Sequence, residues 1–266
     1  MFNSLLEHIL KEKEGEEFEE LFQPVSPEEL ESRIMGYIKS VCTQNPDGTW
    51  SSEGSVNLGN RNLEKLPVKF KDVGGYFYCD SNSLTSLKGA PEHVGGNFYC
   101  SYNNLTSLEG APKEVDGGFH CSSNKLTSLE GVPKHVRGSF NFSYNHLTSL
   151  EGAPEKVDGD FMCSDVFLTS LEGAPKEVGG DFVCGYNNLT SLEGAPKRVV
   201  GNFMCPYNDL TSLEGAPKYV GEDFWCDNNN LTSLEGAPEH VGGSFYCSGN
   251  PVSKEELKKT VDRPYL

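Results

Sequence analysis

The sequence is poor in bases, has no long apolar run, and contains none of the short motifs that announce common chemistries. Lys and Arg together number 22 against 39 Asp and Glu, a formal net charge of −17. So acidic a surface repels phosphate backbones, which excludes direct nucleic-acid binding as the default function. No window approaches the ~20 apolar residues of a membrane helix, so no membrane partner is expected. The opening MFNSLLEHILKEKEGEE has Glu7 inside its short apolar region and no small-residue cleavage site, so a cytoplasmic chain is expected. The nine cysteines never form Cys-x-x-Cys, and there is no Gly-rich phosphate loop or Gly-x-Ser-x-Gly elbow. We therefore expect a non-enzymatic protein with no catalytic residues, cofactor or metal.

What is present is a period. From about residue 55 a 21-residue unit recurs without insertion. Leu-Thr-Ser-Leu-(Glu/Lys)-Gly-(Ala/Val)-Pro starts at Leu84, Leu105, Leu126, Leu147, Leu168, Leu189, Leu210 and Leu231. Aligned on it, Phe77 to Phe245 form one column, extended back by Val56. Two residues on runs a cysteine column, Cys79 to Cys247, begun by Leu58 and interrupted by Phe142. Three further on stands Asn in every unit except two, which carry Arg61 and Val166. A fixed period with constant apolar columns means one coil per unit, each stacked on the next. Phe-x-Cys reads as a short strand, its outer residues sharing one face. Ten stacked strands at roughly 4.8 Å give a parallel sheet and a body on the order of 45 Å long. The fold class is thus mostly β, a solenoid of about ten coils without regular helices in the repeats. One coil cannot bury enough apolar surface to stand alone, so folding must be cooperative across coils. The cysteines line up with parallel Cβ vectors, unlike a disulfide or a tetrahedral metal site, and read as small buried fillers. Cys42, ahead of the repeats, is expected to be buried too.

Phe-x-Cys-x-x-Asn-x-Leu resembles the leucine-rich-repeat core Leu-x-Leu-x-x-Asn-x-Leu, with Phe and Cys replacing two leucines. The short Pro-containing unit is similar to the compact repeats of bacterial effector proteins. The wording Leu-Thr-Ser-Leu-Glu-Gly-Ala-Pro, led by Asn-Pro-Asp-Gly-Thr and Asn-Leu-Glu-Lys-Leu-Pro, looks closest to repeat proteins of large tailed phages. The resemblance covers residues 45–252. It implies the solenoid fold, and a phage protein that binds and inhibits a host factor such as a defence enzyme. The ubiquitin-ligase activity of some bacterial effectors does not carry over, since only sixteen residues follow Asn250.

The flanks read as caps. Ser26-Pro27-Glu28-Glu29 starts a helix whose stripe Leu30, Ile34, Tyr37, Ile38 and Val41 is apolar on one side. Residues 26–54 form an expected N-terminal cap, with Asn45-Pro-Asp-Gly as the turn into the repeats, which run over 55–250. Ser253-Lys-Glu-Glu opens a C-terminal helical cap over 251–266. Residues 1–25 are an acidic amphipathic extension; residues 1–22 either pack on the cap, dock into a partner's groove, or pair two copies into a homo-oligomer.

If columns build the scaffold, function lies in positions that vary. Between Phe and Cys the residue points outward: Tyr78, Tyr99, His120, Met162, Val183, Met204, Trp225 and Tyr246 supply an aromatic and apolar stripe, with Asn57 and Asn141 between them. Two residues after the Cys column come Tyr102, Tyr144, Tyr186 and Tyr207. Tyr, Trp and Met are what interface centres use, and Trp225 is the expected hot spot. Asp160, Asp181, Asp223 and Asp227 flank the stripe; stacked like charges suggest a basic patch on the partner. Ser164-Asp165-Val166-Phe167 breaks the pattern, exposing two apolar residues, by drift or as a contact patch centred on Phe167. His93, His135 and His240 share one surface position, and the Thr and Ser columns read as structural hydroxyls.

The sequence thus points to a protein-binding scaffold whose partner is a host or phage protein. Two alternatives stay open: a virion component anchored by its N-terminal helices, and an acidic nucleic-acid mimic.

Overall fold

The computed structural model describes residues 26–253 together with Glu256. Its compact units divide between Ser40 and Val41. Before that boundary lies most of a helix, Pro27–Val41. Ser26 caps it: its Oγ accepts the Glu29 N–H at 3.2 Å, while its C=O accepts the first helical bond from Leu30 at 2.9 Å. Glu28 and Glu29 in the first turn suit the positive end of the helix dipole. Ile34 and Ile38 are its buried residues, on the stripe that the spacing predicts.

After Val41 the chain is a mostly-β parallel solenoid with a 21-residue repeat. Ten two-residue strands, from Val56–Asn57 to Phe245–Tyr246, form one parallel sheet in strict chain order. Every register step is one repeat: Val56 opposes Phe77, Phe77 opposes Phe98, and so on to Phe224 opposite Phe245. Nine turns of 21 residues therefore separate the first strand from the last. The Phe rings stack down the core; Phe182, Phe203 and Phe224 lie 5.3 Å apart and within 10° of parallel. The Val column and most of the Phe, Leu and Cys columns are buried, Phe245 in the last strand being half-buried.

A second sheet covers the back, which the reading of columns did not anticipate. From Phe70–Val73 onward, short strands ending in the Val column pair in the same parallel sense, within a five-stranded and a six-stranded set. Its first members are Thr43–Gln44 and Trp50–Ser52, antiparallel to each other through the turn at Asn45, where Gly48 N–H donates to Asn45 C=O at 3.0 Å. Trp50–Ser52 then pairs in parallel with Phe70–Val73, so this ladder begins inside the segment assigned to the cap. The two sets part between Glu114–Val115 and His135–Val136. At this level the core holds Val132 in place of Ala and Phe142 in place of Cys, while the long front sheet continues unbroken.

Between the sheets each coil turns on Leu-(Glu/Lys)-Gly-Ala. Ala90 N–H donates to Leu87 C=O at 2.8 Å and Gly89 has φ +101°, a type II turn that requires glycine at its third position. A Cβ on Gly89 would also lie 2.9 Å from the Val68 carbonyl oxygen. The Ser column has the expected structural role, for Ser86, Ser128 and Ser170 accept the N–H two residues on. At the far end Ser253 Oγ accepts the Glu256 N–H at 3.1 Å, the helix start that the capping box predicts.

Candidate functional site: the front face of the long sheet

The long sheet's outer surface carries columns of equivalent residues, and beside them an asparagine ladder holds the coils in step. Asn103 shows the pattern. Its Nδ2 donates to the carbonyls of Cys79 and Cys100, and its Oδ1 accepts the Leu84 N–H at 2.9 Å. One side chain thus ties a strand end to the coil before it, as Asn82, Asn124, Asn145, Asn187, Asn208, Asn229 and Asn250 also do.

The column between Phe and Cys stacks its rings near each end of the solenoid. Tyr78 and Tyr99 stack at 4.8 Å and 2°, and Tyr99 and His120 at 4.7 Å and 9°. Asn97 Nδ2 donates to the Tyr99 hydroxyl at 2.7 Å. Met162, Val183 and Met204 continue the column half-buried, and Trp225 stacks on the exposed Tyr246 at 3.9 Å. Trp225 Nε1 is buried without a hydrogen-bond partner. Burial holds the His120 imidazole below its ordinary value, and the Asp160 carboxylate pulls less strongly the other way.

The second column holds a feature invisible in the sequence. All its residues from Asn60 to Gly249, one per coil, have left-handed backbone, including Tyr102, Tyr144, Tyr186 and Tyr207 at φ +54° to +58°. Asn and Gly suit that conformation; a bulky ring does not. These tyrosines are 65%, 60%, 58% and 48% exposed, and Tyr186 stacks on Tyr207 at 4.5 Å.

The four flanking aspartates have a role that their charge hid. Asp160 and Asp181 accept the main-chain N–H of Asp181 and Asn202, at 2.9 and 2.7 Å. Asp223 and Asp227 do the same for Ser244 and Ser248, at 2.7 and 2.8 Å. They are rungs between coils, in columns where Ser55, Asn97 and Ser143 make the same bond. Stacking them is thus explained by the scaffold, although the charge stays at the surface.

The irregular coil departs from expectation. Val166 is fully buried rather than exposed, because it takes the inward place of the ladder asparagine; only Phe167 is exposed. In the two coils without that asparagine the following residue, Asn62 or Phe167, turns left-handed. Elsewhere this residue's N–H donates to the Leu of the preceding coil, as His146 does to Leu126 at 2.8 Å. Phe167 faces His146 instead, ring centres 6.2 Å apart.

Away from this face, His93 and His135 sit 3.1 and 2.7 Å from Asp116 and Asp158. Arg137 also pairs with Asp116, and Lys156 with Asp158 at 2.7 Å. The Lys156 hydrogen bond, helped by His135, holds the Asp158 carboxyl below its ordinary range. Sequence spacing did not reveal these pairs, whose partners lie 21 or 23 residues apart or, for Lys156 and Asp158, two. Burial raises the thiols of Cys79, Cys121 and Cys163, which are buried with Cys100, Cys184, Cys205 and Cys226. Cys42 is half-buried, not buried as expected, since it follows the helix rather than entering the column. Among the described residues no group of three or more His, Cys, Asp or Glu could hold a metal ion, and no helix is long and apolar enough to cross a membrane.

No family model matches this chain, and no curated protein does. Among solved structures it is similar to YopM from Yersinia enterocolitica WA-314, at 17% identity and a TM-score of 0.37. The match covers 94% of this chain and spans 64% of YopM's length. So distant a likeness carries no argument about function, and the fold rests on the register and ladders above.

Proposed function

We propose that the protein is a non-enzymatic scaffold that binds a protein partner through the front face of its long sheet. The observation that carries this reading is the left-handed tyrosine column. Four coils place a large exposed ring where the backbone favours Asn or Gly, at a conformational cost that no packing requirement explains. Bulky residues held in sparsely populated backbone regions concentrate at functional sites. The adjoining stripe supports the same reading, since aromatic and Met side chains in one column on an open face are what interface centres use.

The finer reading is a phage product acting in the host cytoplasm, where it inhibits a host factor. It is supported by the resemblance of the repeat wording to phage proteins. The test is affinity capture from host lysate with wild type and a Tyr99→Ala, Met204→Ala, Trp225→Ala variant. A protein partner retained by wild type and lost by a folded variant is the expected result. Identical captures from both would overturn the front face as the binding surface.

A further inference from the structure

In the C-terminal coils the basic residues are kept off the front face, while acids stand on both sides, and this specifies the partner. The front segments 160–167, 181–188, 202–209 and 223–230 contain six aspartates and no Lys or Arg. The bases of the same coils, Lys176, Lys197, Arg198 and Lys218, all stand on the back segments. Within the acidic stretch lie the stacked Tyr186 and Tyr207, with Asp165 one coil earlier in their own column and Asp209 two residues past Tyr207. Asp165 and Asp209 are exposed, as are both tyrosines.

Resting on the reading above, we propose that this C-terminal half of the front face docks an arginine-containing polypeptide segment of the partner. A guanidinium lies flat on a tyrosine ring and donates to carboxylates in the same plane, a pairing that aromatic residues interleaved with aspartates provide. The chain already makes half of this arrangement internally. On the back, the Arg198 guanidinium lies 3.8 Å over the Tyr219 ring, with His240 stacked at 4.7 Å on Tyr219. The front pair Tyr186–Tyr207 has the aromatic surface, with exposed Asp165 in the same column and Asp209, which accepts a hydrogen bond from Asn230 Nδ2 at 3.4 Å, on the same segments, and no base of those segments to fill it. Six like charges across four coils repel one another, and a cationic segment relieves that repulsion on binding. Met162, Val183 and Met204 alongside offer apolar surface to the aliphatic stems of the arginines.

The test is fluorescence anisotropy with a short labelled peptide of alternating Arg and Ser, at about 0.1 M salt, where exposed charges still act over roughly 10 Å. A double variant, Tyr186→Ser with Tyr207→Ser, removes the rings; Ser81 and Ser123 occupy the same column with the same backbone, so the fold accommodates it. A second variant, Glu130→Gln with Glu172→Gln and Glu214→Gln, removes three exposed charges from the back turns. The expected result is about a tenfold loss of affinity for the tyrosine variant and less than about twofold for the glutamate variant. Equal losses would mean general attraction to an acidic protein and would overturn the proposal. So would failure of wild type to bind the peptide. In that case a partner still lost by the Tyr99, Met204, Trp225 variant would leave the front-face reading standing without the arginine specification.

Discussion

Val166 shows how much one side chain carries in this architecture. An asparagine there would place Nδ2 toward the Phe142 and Cys163 carbonyls and Oδ1 toward the Leu147 N–H, by the spacing that Asn145 shows one coil earlier. Three such bonds at about 1 kcal/mol each exceed the roughly 1.5 kcal/mol for burying the valine. Val166→Asn is therefore expected to stabilise the protein by about 1–2 kcal/mol, seen as a higher urea midpoint at unchanged slope. A lower midpoint would mean that the local backbone has adapted to Val166 and Phe167. His120 gives a second residue-level expectation. Its folded value lies below its unfolded one near 6.5, so the unfolded chain takes up more protons as pH falls. Stability should fall from about pH 6.5 downward until the lowered folded value is passed, and remain intact above. His120→Asn, a residue already present at Asn141 in the same column, should remove that part of the acid sensitivity in matched urea titrations. If the wild-type and variant pH profiles run parallel, His120 is not the titrating group.

At the scale of the element, the repeat was legible where burial constrains residue type and illegible where only backbone conformation does. Phe, Cys and Leu columns announce inward positions, so the long sheet and its register follow from spacing. From His93 on, the back ladder consists of two-residue strands whose outward member is His, Glu, Lys, Arg or Tyr, and such variety hides a ladder. The left-handed column was hidden for a related reason, because Asn or Gly marks it only at Asn60, Asn228 and Gly249 while Ser, Tyr and Asp fill it elsewhere. The aspartates misled in the opposite direction: their charge read as function, whereas Asp181 and Asp223 spend an oxygen on the next coil's N–H. These facts make the tyrosine turn testable by itself. Tyr102→Asn replaces an exposed, left-handed ring by a residue suited to that backbone, so stability should hold or rise by up to about 1 kcal/mol. If the ring serves a partner, affinity should fall in the same variant. A fall in stability would instead make Tyr102 part of the scaffold.

For the solenoid as a whole, the unit of construction is the 21-residue step, and the register makes this a quantitative expectation. Deleting residues 189–209 joins Asn188 to Leu210 and restores every column, because Leu189 and Leu210 are equivalent. The shortened chain should fold, lose one coil interface, and unfold in one transition with a urea slope lower by about a tenth, in proportion to the surface removed. Deleting residues 190–209 leaves one extra residue in a coil whose ladder bonds reach back 19 and 24 residues. That coil cannot satisfy both its own carbonyl and its neighbour's N–H. The second deletion should be less stable than the first although it removes less chain, with weaker amide protection in the coils around the junction. Equal stability for the two would mean that the turns absorb a one-residue slip, and that the asparagine ladder does not fix the step. The shorter solenoid also lacks Tyr207 and Asp209 but keeps Tyr186, so it should lose affinity for the arginine peptide while its fold stays intact.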